Sequence, residues 1–158
     1  MPGTKAQEIL EQYWDDGSIT VDPMAIAAKM GIAVLADPSF NASGHYVPGN
    51  DSRNPLVTYK SSESKVRQRF TVAHELGHHV MGHDERDRDT PERFSMGYHD
   101  PAEVDANRFA AHLLMPEQIV HAMIRVRGVH SVEEPARLFG VSRAAMRFRP
   151  KELGYAVA

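Results

Sequence analysis

The chain has 158 residues, 42% hydrophobic and 25% charged, with a formal net charge of -3, a balance that excludes a disordered or fibrous polymer and leaves one globular core to build. It contains no cysteine, so disulfides and thiolate ligands are excluded and any metal must be held by His, Asp or Glu. No run approaches the roughly 18 apolar residues of a membrane span, and Met1-Pro2-Gly3-Thr4-Lys5 lacks the apolar stretch of a signal peptide, so a soluble, cytoplasmic protein with no membrane partner is expected.

Residues 4–14 predict a helix capped by Thr4, with Ile9, Leu10 and Tyr13 as its apolar stripe. Asp22-Pro23 opens a second helix, which Gly31 stops after Met30. Ile32 to Leu35 reads as a short strand ended by Asp37-Pro38. Phe40 to Val47 reads as a weaker strand interrupted by Gly44, and Leu56 to Tyr59 as a third after the Pro48-Gly49-Asn50-Asp51 turn. A small sheet of about three strands therefore precedes the next helix.

That helix starts near Ser62 or Glu63 and carries His74-Glu75-Leu76-Gly77-His78. Two imidazoles four residues apart project from one face and can clasp one metal ion, and the intervening Glu can accept a proton from an attacking water. Val66, Phe70, Ala73, Gly77 and Val80 form an apolar stripe. At about 100° per residue, His74 and His78 lie about 80° and 120° round from Val66, and Glu75 about 180°. The spacing predicts a metal site anchored by the core and open at its edge. Gly77 lowers helix stability, so a close neighbour is expected there, for which a crossing strand would suffice.

Residues 83–100 mix charges with Pro91 and Gly97 and read as an exposed, mobile loop beside the cleft. Asp100-Pro101 then caps a strong helix running to Met115. On it Glu103, Asn107, Ala110 and Leu114 lie within about 60° of each other, with Asp105 and His112 opposite. Ala110 and Leu114 must face the core, so Glu103 faces inward with them. An inward carboxylate is costly unless it is paired or binds a metal. A catalytic zinc keeps three protein ligands and one open position, and Glu103 is the favoured third ligand beside His74 and His78. Asp105, His99 and His83 are the alternatives. Asn107, one turn on, is placed to hydrogen-bond a ligand His. A donor for the developing oxyanion is also needed, and Tyr46, His45, Tyr98 and His99 are the candidates. His79 and His83 stand four apart but point away from the His74/His78 face. His112, His121 and His130 read as ordinary surface or packing residues.

Residues 121–158 carry seven basic against three acidic side chains. Residues 131–139, Gly140-Val141-Ser142 and residues 143–149 have helix-turn-helix spacing, with Arg143, Arg147 and Arg149 on or near the second helix. Three packed helices give the same pattern without nucleic acid, and direct DNA binding is not expected. The competing reading is a DNA- or protein-binding regulator that uses this segment and binds metal without proteolysis.

Phe70-Thr71-x-Ala73-His74-Glu75-Leu76-Gly77-His78-His79, followed by Glu103-x-x-Ala106-Asn107-x-Phe109-Ala110-Ala111-x-Leu113-Leu114-Met115-Pro116, resembles the ImmA/IrrE family of metallopeptidases. Asp22-Pro23 to Val34 and Leu138 to Arg149 extend the likeness to roughly residues 20–155. Pro150 departs from it, where the family more often continues the last helix with Leu, and a shortened helix is expected. The resemblance implies an α+β, minimal zincin-like fold: N-terminal helices, a small sheet, the HExxH helix and a Glu-bearing helix over residues 1–116. A helix-turn-helix-like segment over 117–158 packs on that core as one compact unit. It implies zinc (or another divalent ion such as manganese) on His74, His78 and Glu103, and Glu75 as the catalytic carboxylate. The implied activity is cleavage of a helix-turn-helix transcriptional repressor in the control of a mobile element, a stress response or a toxin–antitoxin pair.

Overall fold

The structure is a computed structural model that describes residues 1–14, 17–88, 100–128 and 131–156. Helix α1 (Pro2–Tyr13) begins earlier than Thr4 would have it, with Pro2 in its first turn and no side-chain cap. Helix α2 (Pro23–Lys29) is capped as expected: Asp22 accepts from the backbone N–H of Met24 and Ala25. Gly31 follows it at φ +77, a left-handed turn that favours glycine.

Three strands follow, β1 (Ala33–Asp37), β2 (Gly44–Val47) and β3 (Leu56–Lys60). A fourth, β4 (Arg86–Arg88), lies inside the stretch expected to be a loop, and the sheet has the order β1-β3-β2-β4. The three strands expected before the helix that carries His74 are thus present, and β4, which follows that helix, adds a fourth at the sheet's edge. β1 pairs with β3 in parallel, while β2 pairs antiparallel with β3 on one side and with β4 on the other. Arg-Asp-Arg shows no apolar alternation. It is a strand because β2 offers backbone partners, Gly44 opposite Arg88 and Tyr46 opposite Arg86. Residues 89–99 of the expected loop, with Tyr98 and His99, lie outside the described residues.

Helix α3 (Lys65–Val80) starts after Ser64, whose hydroxyl accepts from Arg67 N–H. Helix α4 (Pro101–Leu114) starts at Asp100, whose carboxylate accepts from Ala102 N–H. The sheet, α2 and α4 all pack on α3, and every residue from Thr71 to His78 is buried. The predicted stripe was too narrow: Val72 and Leu76 are fully buried, whereas Val66, Phe70 and Val80 are only partly so. Gly77 faces α4, not a strand. A Cβ there would lie 3.1 Å from Phe109 Cβ and 3.2 Å from Ala106 Cα, so the glycine lets two helices approach closely.

Among the described residues three further helices follow, α5 (Glu117–Arg127), α6 (Glu133–Phe139) and α7 (Arg143–Glu152). Pro150 does not shorten α7, which runs through it to Glu152. Arg69 of α3 holds the α6–α7 turn, its Nε donating to Gly140 O over 3.0 Å. Arg149 is buried to 1% exposure, donating from Nε to Met115 O and from its terminal nitrogen to His112 Nδ1, both over 3.0 Å.

Candidate active site

His74 and His78 stand one turn apart on α3, their rings edge-to-face at 4.7 Å. Their Nε2 atoms converge to 3.1 Å. Glu103 reaches across from α4, its Oε2 2.7 Å from His74 Nε2 and its Oε1 3.0 Å from His78 Nε2. α3 and α4 are held close by Gly77 against Ala106 and Phe109, and that closeness brings the carboxylate to both rings. Among the described residues, these three are the group of His, Asp and Glu whose donor atoms could hold a metal ion.

The three side chains are more enclosed than a flank position predicts: His74 is 1%, His78 0% and Glu103 7% exposed. The sheet and α4 cover both sides of the stripe, so the expected open edge is absent around the histidines. Burial alone would push the Glu103 carboxyl up. Hydrogen bonds from His74 and His78, and their charge, outweigh that and hold it well below the usual carboxylate range. An ionised carboxylate between two imidazole nitrogens is a ligand set suited to a divalent cation.

The donor atoms test the fit. Around a tetrahedral ion at about 2.0–2.2 Å, donors stand about 3.4 Å apart. The three here are 2.7–3.1 Å apart, so an opening of a few tenths of an ångström admits the ion. The outer nitrogens are also engaged, as ligand imidazoles require: His74 Nδ1 lies 2.8 Å from Asn107 Oδ1, and His78 Nδ1 lies 2.8 Å from His83 Nδ1.

Glu75 is fully buried. It lies under β2, where a Cβ on Gly44 would come 2.4 Å from Thr71 Cγ2 and 3.0 Å from Glu75 Oε1. Gly44 is therefore a close-approach position that seats the sheet over Glu75, more than an interruption of a strand.

The other candidates separate by position. Asn107 is where the helix geometry placed it. Asp105 is on another face of α4 and outside the cluster. His83 does not point away: it meets the outer nitrogen of His78. His79 makes no pair with it, its Nδ1 lying 2.9 Å from the Tyr46 hydroxyl. Burial raises the Tyr46 pKa and lowers that of His79, so this contact joins two neutral groups. His45 is engaged with Glu85 at 3.0 Å. Tyr98 and His99 lie outside the described residues. His112 is a packing residue under Arg149. The sequence reading missed the His83–His78 contact, whose signal was Gly82 just past the helix end.

A family model described as the IrrE N-terminal-like domain matches residues 27–151. No curated protein matches the chain by sequence. A solved structure of a Mycobacterium tuberculosis transcriptional regulator superposes with a TM-score of 0.64 at 18% identity, covering 98% of this chain and 47% of that one. The chain thus spans about half the length of that protein, and the likeness is one of fold.

Proposed function

The chain belongs to the IrrE N-terminal-like peptidase family, and from that premise we propose that it is a metal-dependent endopeptidase that cleaves a helix-turn-helix transcriptional repressor. The observation that carries the hydrolytic reading is the convergence of His74, His78 and Glu103, with the buried carboxylate of Glu75 adjacent to His74 in the same helix. His74 Nε2, His78 Nε2 and the Glu103 carboxylate would hold the ion, zinc by preference and manganese as an alternative. Bound there, a divalent ion would activate water and polarise a scissile carbonyl.

The protein's own groups do the rest. Glu75 takes the proton of the attacking water on its carboxylate and delivers it to the leaving amide nitrogen. Asn107 holds the His74 ring with its Nε2 directed at the Glu103 carboxylate. Of the candidates for stabilising the oxyanion, Tyr46 would have to turn its hydroxyl from His79 and His45 would have to leave Glu85. Tyr98 and His99 keep their candidacy from the sequence.

The repressor as substrate is supported by the family resemblance. Against the competing reading, a DNA-binding segment, stands Arg149: its guanidinium is spent on Met115 and His112 inside the protein and is withheld from phosphate. The test incubates zinc-loaded protein, with and without chelator, with the purified repressor encoded beside it, and repeats the reaction with Glu75→Gln. The variant is expected to bind zinc as tightly as the wild type and to cut about 10²–10⁴-fold more slowly. Full proteolysis by Glu75→Gln would sink the mechanism. Cleavage of a generic unfolded peptide with an intact repressor would sink the substrate assignment alone.

A further inference from the structure

Helix α3 ends in a way that reaches its own metal ligand. Gly82 has φ +71, with nothing within 4 Å of where its Cβ would be. Glycine is therefore needed for the backbone conformation, not for space. Gly82 N–H donates to His79 O over 3.1 Å, and His83 N–H donates to His78 O over 2.9 Å. Those two bonds define the left-handed helix stop in which the residue after the glycine folds back over the residue five before it. The contact between these two positions is usually apolar. Here it joins two imidazoles, His83 and His78, with ring centroids 5.1 Å apart and their Nδ1 atoms 2.8 Å apart.

The inner nitrogen of His78 is committed to the centre, 3.0 Å from Glu103 Oε1 and 3.1 Å from His74 Nε2. A neutral imidazole that turns the lone pair of Nε2 to a cation carries its proton on Nδ1, and that N–H must donate. His74 donates to Asn107 Oδ1, a carbonyl that can only accept. The atom that faces His78 Nδ1 is His83 Nδ1, which accepts only when its own proton sits on Nε2.

We propose that His83 is a positioning residue of the metal centre: its Nδ1 accepts the Nδ1–H of His78 and so sets that ligand's tautomer and ring orientation, and Gly82 delivers it there. This rests on His78 being a metal ligand.

The test measures zinc affinity of the full-length protein, stripped of metal, by competition with a chromophoric chelator. The variants are His83→Gln, which offers a carbonyl acceptor, His83→Leu and His83→Lys, which offer none, and Gly82→Ala, with His78→Ala as control. Leu and Lys are expected to weaken zinc binding by about 10–100-fold, Gln to recover most of it, and Gly82→Ala to weaken it with His83 still in place. The slowly exchanging Nδ1–H proton signal of His78 should persist in the wild type and His83→Gln and vanish in His83→Leu. The Gln-against-Lys comparison stands even if His83→Leu fails to fold. Equal zinc affinity for Gln, Lys and wild type, with His78→Ala unable to bind, overturns the role of His83 alone. Wild-type affinity in His78→Ala overturns the metal centre, and this proposal with it.

Discussion

A single carboxylate shows how a residue's neighbourhood sets its chemistry. Glu103 sits on an apolar face where an unpaired charge would be expelled, yet two imidazoles keep it ionised. Its place was legible because helical periodicity assigns faces from spacing alone, and Ala110 and Leu114 marked the inward one. Gly44 was not legible in the same way. Its lack of a side chain answers to Thr71 and Glu75, residues far along the chain that only folding brings beneath it. Gly44→Ala is therefore expected to cost about 1–3 kcal/mol by overpacking and to lower peptidase activity more than its loss of stability explains, since Thr71 and Glu75 must both shift. Chemical denaturation alongside turnover at a temperature where the variant is fully folded checks this. Unchanged turnover would mean that Glu75 tolerates the displacement.

At the scale of the element, helices were legible and strand edges were not. The Asp22, Ser64, Asp100 and Ser142 caps are formed by residues beside the backbone groups they satisfy, so their signal is local. β4 is formed by pairing with β2, some forty residues away in the chain, and Arg-Asp-Arg carries no mark of it. Helix α7 adds a case that spacing did not show: Arg149, one of the basic residues of the C-terminal segment, is the buried clamp between α7 and the end of α4. Its guanidinium donates to His112 Nδ1, which requires a neutral ring. Burial first and the Arg149 charge second lower the His112 pKa. The unfolded chain therefore binds more protons than the folded one below the ordinary histidine value of 6.5. Stability is full above that pH and is lost as pH falls beneath it. Melting temperatures between pH 7.5 and 5 should decline less steeply in His112→Gln than in the wild type. An identical slope would remove His112 from the account.

At the scale of the whole molecule, α3 is the element on which the sheet, α2 and α4 converge, and Arg69 ties it to the turn before α7. The His74, His78 and Glu103 cluster bridges α3 and α4, so an ion held there would link two principal helices of the core. Zinc at about a thousandfold excess over its dissociation constant should add about 4 kcal/mol of stability, read as a rise in melting temperature that chelator reverses. Glu103→Gln should abolish that rise. A metal-independent melting temperature in the wild type would count against the centre. Purified protein is also expected to give no mobility shift with duplex DNA at low salt, where phosphate contacts are strongest.

The sequence by itself determined the His74/His78 pair, the carboxylate between them, the inward Glu103 and the starts of α2 and α4, because the α-helix converts spacing into direction over a few residues. Tertiary structure alone decided the fourth strand, the enclosure of the histidines, the burial of Arg149 and the seat of Glu75 beneath Gly44. Each of those depends on which distant segment lies alongside, and strand pairing and close packing leave no periodic trace in the residues that receive them. The His83 contact stands between the two: Gly82 announced the helix stop, and the folded turn carried the second imidazole to the first.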